Sequence, residues 1–169
     1  LLYFGAPHWC APCRAFSQPK PDRTAKANMT DQLMVSERSE LERIYETLKN
    51  APNLADPFEL VYCCMGEDID SFDDFATEFP GLILPFQSLN RSQALASAVG
   101  IMKIPSLVVL SQGGKMVLNR DAMFAASHET SIENFPWVDK NLFSGEAQEV
   151  SLMRETEQYR ITIIGASRQ

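Results

Sequence analysis

The chain has 169 residues, 45% of them hydrophobic, which suits the single buried core of one ordinary domain. Its 15 lysines and arginines against 22 aspartates and glutamates give a net charge of −7, and the charges are interspersed along the sequence. A basic surface for nucleic acid is therefore not expected. The sequence contains no apolar run long enough to span a membrane, so no membrane partner is expected either.

The predicted elements begin with a buried strand at Leu1 to Phe4, where the chain is apolar and aromatic. A short helix is predicted from Cys10 to Gln18, because Pro12 lies in its first turn, where a missing N–H costs nothing. After a polar loop, apolar residues at helical spacing predict a second helix from Thr30 to Lys49. Phe58 to Cys64 is a continuous apolar run, typical of a strand buried on both faces in a parallel sheet.

The alternation of helices and strands continues in the second half of the chain. We predict a helix from Ser71, with this serine as its N-cap, to Pro80, and another from Arg91 to Val99, ended by Gly100. The extended segments are Leu82–Phe86, Leu107–Leu110 and Lys115–Leu118, the last two joined by a turn at Gln112–Gly114. Alternating residues on both sides of 155–158 predict a C-terminal hairpin. Together these elements predict an α/β fold with a mixed β-sheet flanked by helices.

Two cysteines separated by two residues stand at the start of the first predicted helix. Cys10 and Cys13 can close a small disulfide ring, so both the dithiol and the disulfide are accessible in the folded chain. The helix N-terminus stabilises a thiolate on Cys10 and lowers its pKa below the ~8.5 of a free thiol. We therefore predict that Cys10 attacks a partner disulfide and that Cys13 resolves the mixed disulfide. Arg14 could stabilise the thiolate further or could be an ordinary solvated helix residue.

The four cysteines also allow roles other than thiol–disulfide exchange. Cys10 and Cys13 could be inert core residues, but the strand, loop and helix around them are the setting that redox use requires. A structural zinc site would need a second ligand pair, and the adjacent Cys63 and Cys64 would point to opposite faces of a strand. We interpret this second pair as small buried hydrophobic residues, and we predict no metal and no cofactor.

The cysteine content also bears on the compartment. Four unevenly placed cysteines are too few for a secreted disulfide scaffold, so we expect a reducing compartment, the cytoplasm. Because the chain opens directly on an apolar strand, we also expect that N-terminal sequence is missing. A targeting signal in that sequence would instead send the protein to an organelle or a large assembly.

Taken in order, the motifs resemble those of the tryparedoxin and nucleoredoxin branch of the thioredoxin superfamily. Leu2-Tyr3-Phe4 followed by residues 9–14 is similar to the family's aromatic strand and its Trp-Cys-Pro-Pro-Cys-Arg motif, with Ala11 in place of the first proline. The same order continues in Leu60-Val61-Tyr62-Cys63, Asp70-Ser71-Phe72, Leu84-Pro85-Phe86, Ile104-Pro105-Ser106-Leu107 and Phe135-Pro136-Trp137. The likeness covers most of residues 1–137 and identifies the chain as a divergent member of this family.

The resemblance implies a thioredoxin fold and an additional set of site residues. A cis bond before Pro105 would place this loop against the disulfide and expose the backbone of Ile104 to pair with a substrate segment. Trp9 would flank the attacking sulfur and contact partners, although it could also be a packing aromatic.

The activity implied is that of a tryparedoxin-like oxidoreductase, or protein-disulfide reductase. Its substrates would be disulfide-containing proteins or peroxidases, and a low-molecular-weight dithiol or a reductase would supply electrons. The alternative is a non-catalytic thioredoxin-fold subunit, or interaction module, of a larger assembly.

Several positions depart from the family pattern. Met65-Gly66 stands where tryptophan and aspartate are expected, Gly81 replaces another tryptophan, and Asp121 falls where an arginine is expected. Use of the cationic thiol trypanothione is therefore open. His8 precedes Trp9 where small residues are usual, and it could be a proton shuttle or an exposed loop residue.

A further departure concerns the proton acceptor for the resolving cysteine. Phe4 occupies the place of the buried aspartate that bacterial-type thioredoxins use for this purpose. A water-mediated base, Glu67 or Asp68, would have to serve instead.

The domain boundaries follow from the extent of the likeness. We predict a thioredoxin-like domain over 1–137, with an insertion at about 19–55 that contains the second helix, and a C-terminal extension over 138–169. The extension would pack on the same domain or on a partner. Both additions would supply new surface for a fixed partner, or would be tolerated without a function.

Overall fold

One mixed β-sheet organises the chain in the computed structural model, which describes residues 1–19, 38–52, 54, 58–127 and 132–142. Within these residues the strands are β1 (Leu2–Gly5), β2 (Val61–Cys64), β3 (Leu82–Ile83), β4 (Ser106–Leu110) and β5 (Val117–Asn119). Their order across the sheet is β3-β2-β1-β4-β5. β1 is therefore central, parallel to β2 on one side and antiparallel to β4 on the other.

Helices cover both faces of this sheet. They are α1 (Ala11–Ser17), α2 (Glu40–Lys49), α3 (Ile69–Glu78), α4 (Leu89–Val99) and α5 (Met123–Ala126). Short 3₁₀ turns lie at Phe86–Ser88, Gln112–Gly114, Ile132–Asn134 and Lys140–Leu142. Among the described residues, no helix has the length and apolar character needed to cross a bilayer. The predicted α/β fold with a mixed sheet flanked by helices is confirmed.

The first helix and the end of the fourth agree with the sequence prediction. α1 has Cys10 as its N-cap and Gln18 as its C-cap. α4 starts two residues before the predicted Arg91 and ends at Gly100, whose φ of 76° is in the left-handed region that glycine tolerates best.

The starts of α2 and α3 differ from the prediction because capping side chains fix them. Ser39 Oγ accepts the N–H of Glu42 at 3.1 Å, so α2 begins at Glu40 rather than at Thr30, and residues 30–37 lie outside the described part. Asp68 caps α3, its carboxylate accepting the N–H of Ser71 at 3.1 Å. The prediction that Ser71 is the N-cap is therefore wrong.

The strands are shorter than their apolar runs. β2 begins at Val61, the residue paired with Leu2, so the predicted strand from Phe58 loses its first three residues. Only the first two residues of the predicted extended segment 82–86 pair with β2. β5 begins at Val117 rather than at Lys115, and the predicted C-terminal hairpin lies outside the described residues.

The core lies on both faces of the sheet, since alternate residues of β1 point to opposite sides. Tyr3 packs on one face among residues of the first three helices and of α5, including Phe16, Leu41, Phe75 and Ala126. Leu2 and Phe4 pack on the other face with Cys63 of β2, Val108 of β4 and Val99 of α4.

The helix of the predicted insertion belongs to this core. Leu41, Ile44 and Leu48 of α2 are buried in the same cluster as Tyr3, and α2 packs against α1. The apolar face of α2 therefore completes one side of the core, while the role of the insertion as new surface for a partner stays a prediction.

The chain returns to β5 near the end of the described residues. The side-chain amide of Asn119 donates to the carbonyl oxygen of Trp137 at 2.7 Å, and the N–H of Asp139 donates to that of Leu118 at 2.9 Å. Leu142 packs on the second face of the core. Residues 138–142 thus lie against the domain, while the boundaries predicted above stay predictions.

Candidate active site

The cysteine pair lies where β1 gives way to α1. The carbonyl oxygen of Ala6 accepts the N–H groups of Trp9 and Cys10, at 3.3 and 3.0 Å, and so closes the loop between strand and helix. This turn places Cys10 at the N-cap of α1 and Cys13 one turn further along.

Cys10 and Cys13 form a disulfide with their Cα atoms 5.2 Å apart. Cys10 is 5% exposed and Cys13 is completely buried. An incoming partner can therefore reach the sulfur of Cys10 first, which is the order that attack by Cys10 and resolution by Cys13 requires.

Two backbone groups face the sulfur of Cys10. The N–H of Cys13 donates to Cys10 Sγ at 3.2 Å, and this bond favours a thiolate when the pair is reduced. The carbonyl oxygen of Ile104 lies 4.0 Å from the same sulfur. A disulfide sulfur has no proton, so in the oxidised chain the carbonyl oxygen of Ile104 only contacts Cys10 Sγ. In the reduced chain the Cys10 thiol could donate a weak hydrogen bond to this oxygen.

The loop before β4 packs against the cysteine pair. The bond between Ile104 and Pro105 is cis, in agreement with the expectation. The side chains of Ile104 and Met65 pack on the cluster formed by Ala6, Cys10 and Cys13. Met65 thus replaces the expected aromatic residue while still covering the disulfide.

Trp9 and Arg14 border the site in different ways. The indole of Trp9 is 60% exposed, as a side chain that contacts partners would be. Nη1 of Arg14 donates to the carbonyl oxygens of Pro7 and His8, at 2.8 and 3.1 Å. Arg14 is therefore neither free in solvent nor directed at the sulfur by a described contact; it braces the loop that precedes Cys10.

Hydroxyl groups lie beneath the first turn of α1. Tyr3 and Ser17 both donate to the carbonyl oxygen of Cys13, at 3.4 and 2.8 Å. Burial raises the pKa of Tyr3 to about 12, so this phenol stays protonated. Phe4 is completely buried on the other face of the sheet, so no carboxylate occupies that position.

An open cavity of about 500 Å³ adjoins the exposed tryptophan. It is lined by His8, Trp9, Met65, Gly66, Glu67 and Asp68. Hydrogen bonds from the side chain and backbone of Ser71 hold the pKa of Asp68 below its usual value. Asp68 is therefore a weaker proton acceptor than an ordinary carboxylate, and its contacts are those of a helix cap.

The remaining predicted features lie away from the sulfurs. Cys63 and Cys64 are free and buried, as interpreted from the sequence, and burial raises the pKa of Cys63 to about 12. Asp121 pairs with Lys103 at 2.6 Å instead of presenting a free carboxylate. In the part of the chain that the structure describes, no three His, Cys, Asp or Glu side chains cluster in a way that could hold a metal ion.

Comparison with known proteins agrees with this geometry. The sequence model of the family described as Thioredoxin-like matches residues 1–116, well over half of the chain. The chain belongs to the thioredoxin-like family. Nucleoredoxin of Bos taurus is 27% identical over 139 residues, which are 82% of this thioredoxin-like chain and 26% of the relative. Tryparedoxin of Trypanosoma brucei brucei is 26% identical over 137 residues, 81% of this chain and 77% of the relative.

The solved structures include tryparedoxin I from Leishmania major, 26% identical, with a TM-score of 0.61 over 82% of this chain and 78% of that one. The predicted resemblance to tryparedoxins and nucleoredoxins is thus confirmed. The chain nevertheless spans only 21% to 26% of the length of the first nucleoredoxins that it matches.

Sequence reasoning overlooked three groups that shape this thioredoxin-like site. The hydroxyl of Tyr3 and the guanidinium of Arg14 donate hydrogen bonds to backbone carbonyl oxygens. No sequence motif predicts such contacts. The contact of Met65 with the disulfide was also missed, because the sequence shows only that Met65 differs from the tryptophan of the family pattern. Strand alternation could have shown that Tyr3 shares a face with α1.

Proposed function

We propose that the chain is a thiol–disulfide oxidoreductase in which Cys10 is the nucleophile and Cys13 the resolving cysteine. The observation that carries this proposal is the disulfide at the start of α1, with the N–H of Cys13 on the sulfur of Cys10 and the cis-proline loop opposite. The membership in the thioredoxin-like family supports the same class of chemistry.

The reaction begins with the reduced pair. The Cys10 thiolate attacks one sulfur of a partner disulfide, so a bond forms between them and the partner's S–S bond breaks, releasing one partner thiolate. Cys13, as a thiolate, then attacks Cys10 Sγ, forming the internal disulfide and releasing the second partner sulfur. The partner gains two electrons and two protons, and this chain loses them.

Partner docking would use the residues that border Cys10. Trp9 offers an exposed apolar surface, and the backbone of Ile104, ahead of Pro105, would pair with an extended segment of the partner. We include Trp9, Ile104 and Pro105 as substrate-binding residues on this basis.

The partners follow from the chemistry. The acceptors would be disulfide-containing proteins or peroxidases, and a low-molecular-weight dithiol or a reductase would return the pair to its reduced form. A reducing compartment such as the cytoplasm fits this cycle, because the Cys10 and Cys13 pair must be returned to its reduced form before each turnover.

The test is reduction of insulin disulfides with dithiothreitol as the electron source. We expect turnover by the full chain, its loss in Cys10→Ser, and a trapped mixed disulfide with the partner in Cys13→Ser. Cys63→Ala is the matched control, since it removes a buried cysteine on the other face of the sheet and should keep turnover.

A folded chain without turnover would overturn the proposal and favour the alternative, a non-catalytic subunit of a larger assembly. Redox titration of the Cys10 and Cys13 pair separates the two cases, because an oxidoreductase must be reduced and reoxidised reversibly at the potential of its compartment.

A further inference from the structure

His8 is held on three sides beside the cysteine pair. Its carbonyl oxygen accepts from Nη1 of Arg14 at 3.1 Å, which ties the residue to α1. Its imidazole meets the indole of Trp9 edge to face, with ring centroids 6.2 Å apart and planes 86° apart. The third side is the backbone of Gly66.

The imidazole occupies the space that a side chain at Gly66 would fill. A Cβ built on Gly66 would collide with His8 Cε1 and would lie 2.8 Å from Nε2 and 2.9 Å from Nδ1. The ring therefore lies directly on the backbone that follows β2. Glycine is required at this position as long as the imidazole keeps its place.

These contacts join the loop before Cys10 to the loop after β2. The ring of His8 stands between Gly66 and the indole, so it limits where Trp9 can turn at the rim of the dithiol. Among the described residues, neither ring nitrogen makes a hydrogen bond, although the imidazole has a charge interaction with Asp68. Its effect on the indole of Trp9 is therefore assigned to its shape.

We propose that His8 is a positioning residue. Its imidazole packs on the backbone of Gly66 and holds the indole of Trp9 in the orientation that a macromolecular partner binds. This inference rests on the proposed function, in which Trp9 contacts the partner. An indole held in place loses less side-chain freedom on docking than a free one. A small disulfide reagent does not need the indole for docking, so its reaction rate should not depend on how the indole is held.

The test compares His8→Ala, Gly66→Ala, the double variant and His8→Phe in the full chain. The methyl group in Gly66→Ala displaces the imidazole, and His8→Ala removes it. We expect each to lower kcat/KM for insulin about three- to tenfold, mainly through KM, the range expected for losing an aromatic pair. The rate with hydroxyethyl disulfide should not change.

The double variant and His8→Phe separate shape from other effects. Once the ring is gone, the methyl group at Gly66 has nothing to displace, so the double variant should match His8→Ala. Phenylalanine keeps a ring but carries no proton, so His8→Phe should retain most of the insulin activity. Additive losses in the double variant, or a loss in His8→Phe equal to that in His8→Ala, would overturn the proposal.

A fluorescence measurement keeps this inference separate from the proposed function. Trp137 is buried and Trp9 is exposed, so acrylamide quenches Trp9 preferentially, and the emission lost on quenching is that of Trp9. We expect the fluorescence anisotropy of this emission to fall in His8→Ala and Gly66→Ala and to be retained in His8→Phe. An unchanged anisotropy in both variants refutes the positioning role even if the chain turns over no disulfide. Absence of turnover with an anisotropy change refutes the proposed function alone.

Discussion

The backbone N–H of Cys13 points at the Sγ of Cys10 from 3.2 Å. The donor comes from the first turn of α1, whose free N–H groups all lie at this end of the helix. Reduction therefore leaves Cys10 with a preorganised partner for negative charge, whereas Cys13 is buried beneath it.

The first prediction concerns the reactivity of the four cysteines. We expect the Cys10 thiol of the reduced chain to titrate below the ~8.5 of a free thiol and to be alkylated first at neutral pH. Peptide mapping after timed iodoacetamide treatment over a pH series measures this. Cys63 is the internal control, because burial raises its pKa to about 12 and should protect it in the folded chain. Equal rates at Cys10 and Cys63 would contradict the prediction.

The second prediction is a loss of stability at alkaline pH. Burial raises the pKa of both Tyr3 and Cys63 to about 12, so the folded chain keeps protons that the unfolded chain has already released. Between roughly pH 9 and pH 12 the unfolded state binds fewer protons, and the free energy of unfolding must fall as the pH rises.

Urea unfolding of the oxidised chain tests this, because Cys10 and Cys13 do not titrate as a disulfide. The midpoint should decrease from about pH 8 to about pH 11, and Cys63→Ala should flatten the part of the slope that begins near pH 9. A midpoint that stays constant over this range would show that the two buried groups titrate alike in both states.

The third prediction is that α2 is essential to the core although it lies in the predicted insertion. Leu48→Ala should lower the free energy of unfolding by about 2–5 kcal/mol, because it removes a completely buried side chain. Arg43→Ala is the matched control on the same helix, where loss of an exposed ion pair with Glu40 should cost less than about 1 kcal/mol. Equal effects in urea unfolding would mean that α2 is only an addition to the surface.

The fourth prediction concerns Glu67 and Asp68, the two carboxylates nearest to the site that could act as water-mediated bases. Asparagine caps helices as well as aspartate does, so Asp68→Asn should keep both the cap and the activity. Turnover of insulin by Asp68→Asn and Glu67→Gln should stay within about threefold of the parent, whereas loss of a general base costs about 100-fold or more. A collapse of turnover in either variant would restore that carboxylate as the proton acceptor.

Local sequence signals predicted much of the site itself. Cys10, Pro12 and the strand before them are close in sequence, so spacing was enough to place a dithiol at a helix start. Gly100 likewise marked the end of α4. The helix starts at Glu40 and Ile69 were also readable, since Ser39 and Asp68 each precede by three residues the N–H that they cap.

The rest of the site depends on tertiary structure. The seating of His8 on Gly66 joins two loops that only the pairing of β1 with β2 brings together. The ion pair between Lys103 and Asp121 similarly depends on the fold around β4 and β5. In the sequence, His8 and Gly66 are two separate departures from the family pattern. They are far apart along the chain, and no hydrophobic periodicity predicts their contact.

The return of the chain to β5 affects how this domain can meet other copies of itself. An edge strand presents unpaired N–H and carbonyl groups that can recruit a strand from a neighbouring molecule. Here the carbonyl oxygen of Leu118 is already taken by the N–H of Asp139, and Asn119 is tied to Trp137. The segment after Trp137 thus caps one border of the sheet and protects it against edge-to-edge aggregation, while the opposite border, β3, is only two residues long.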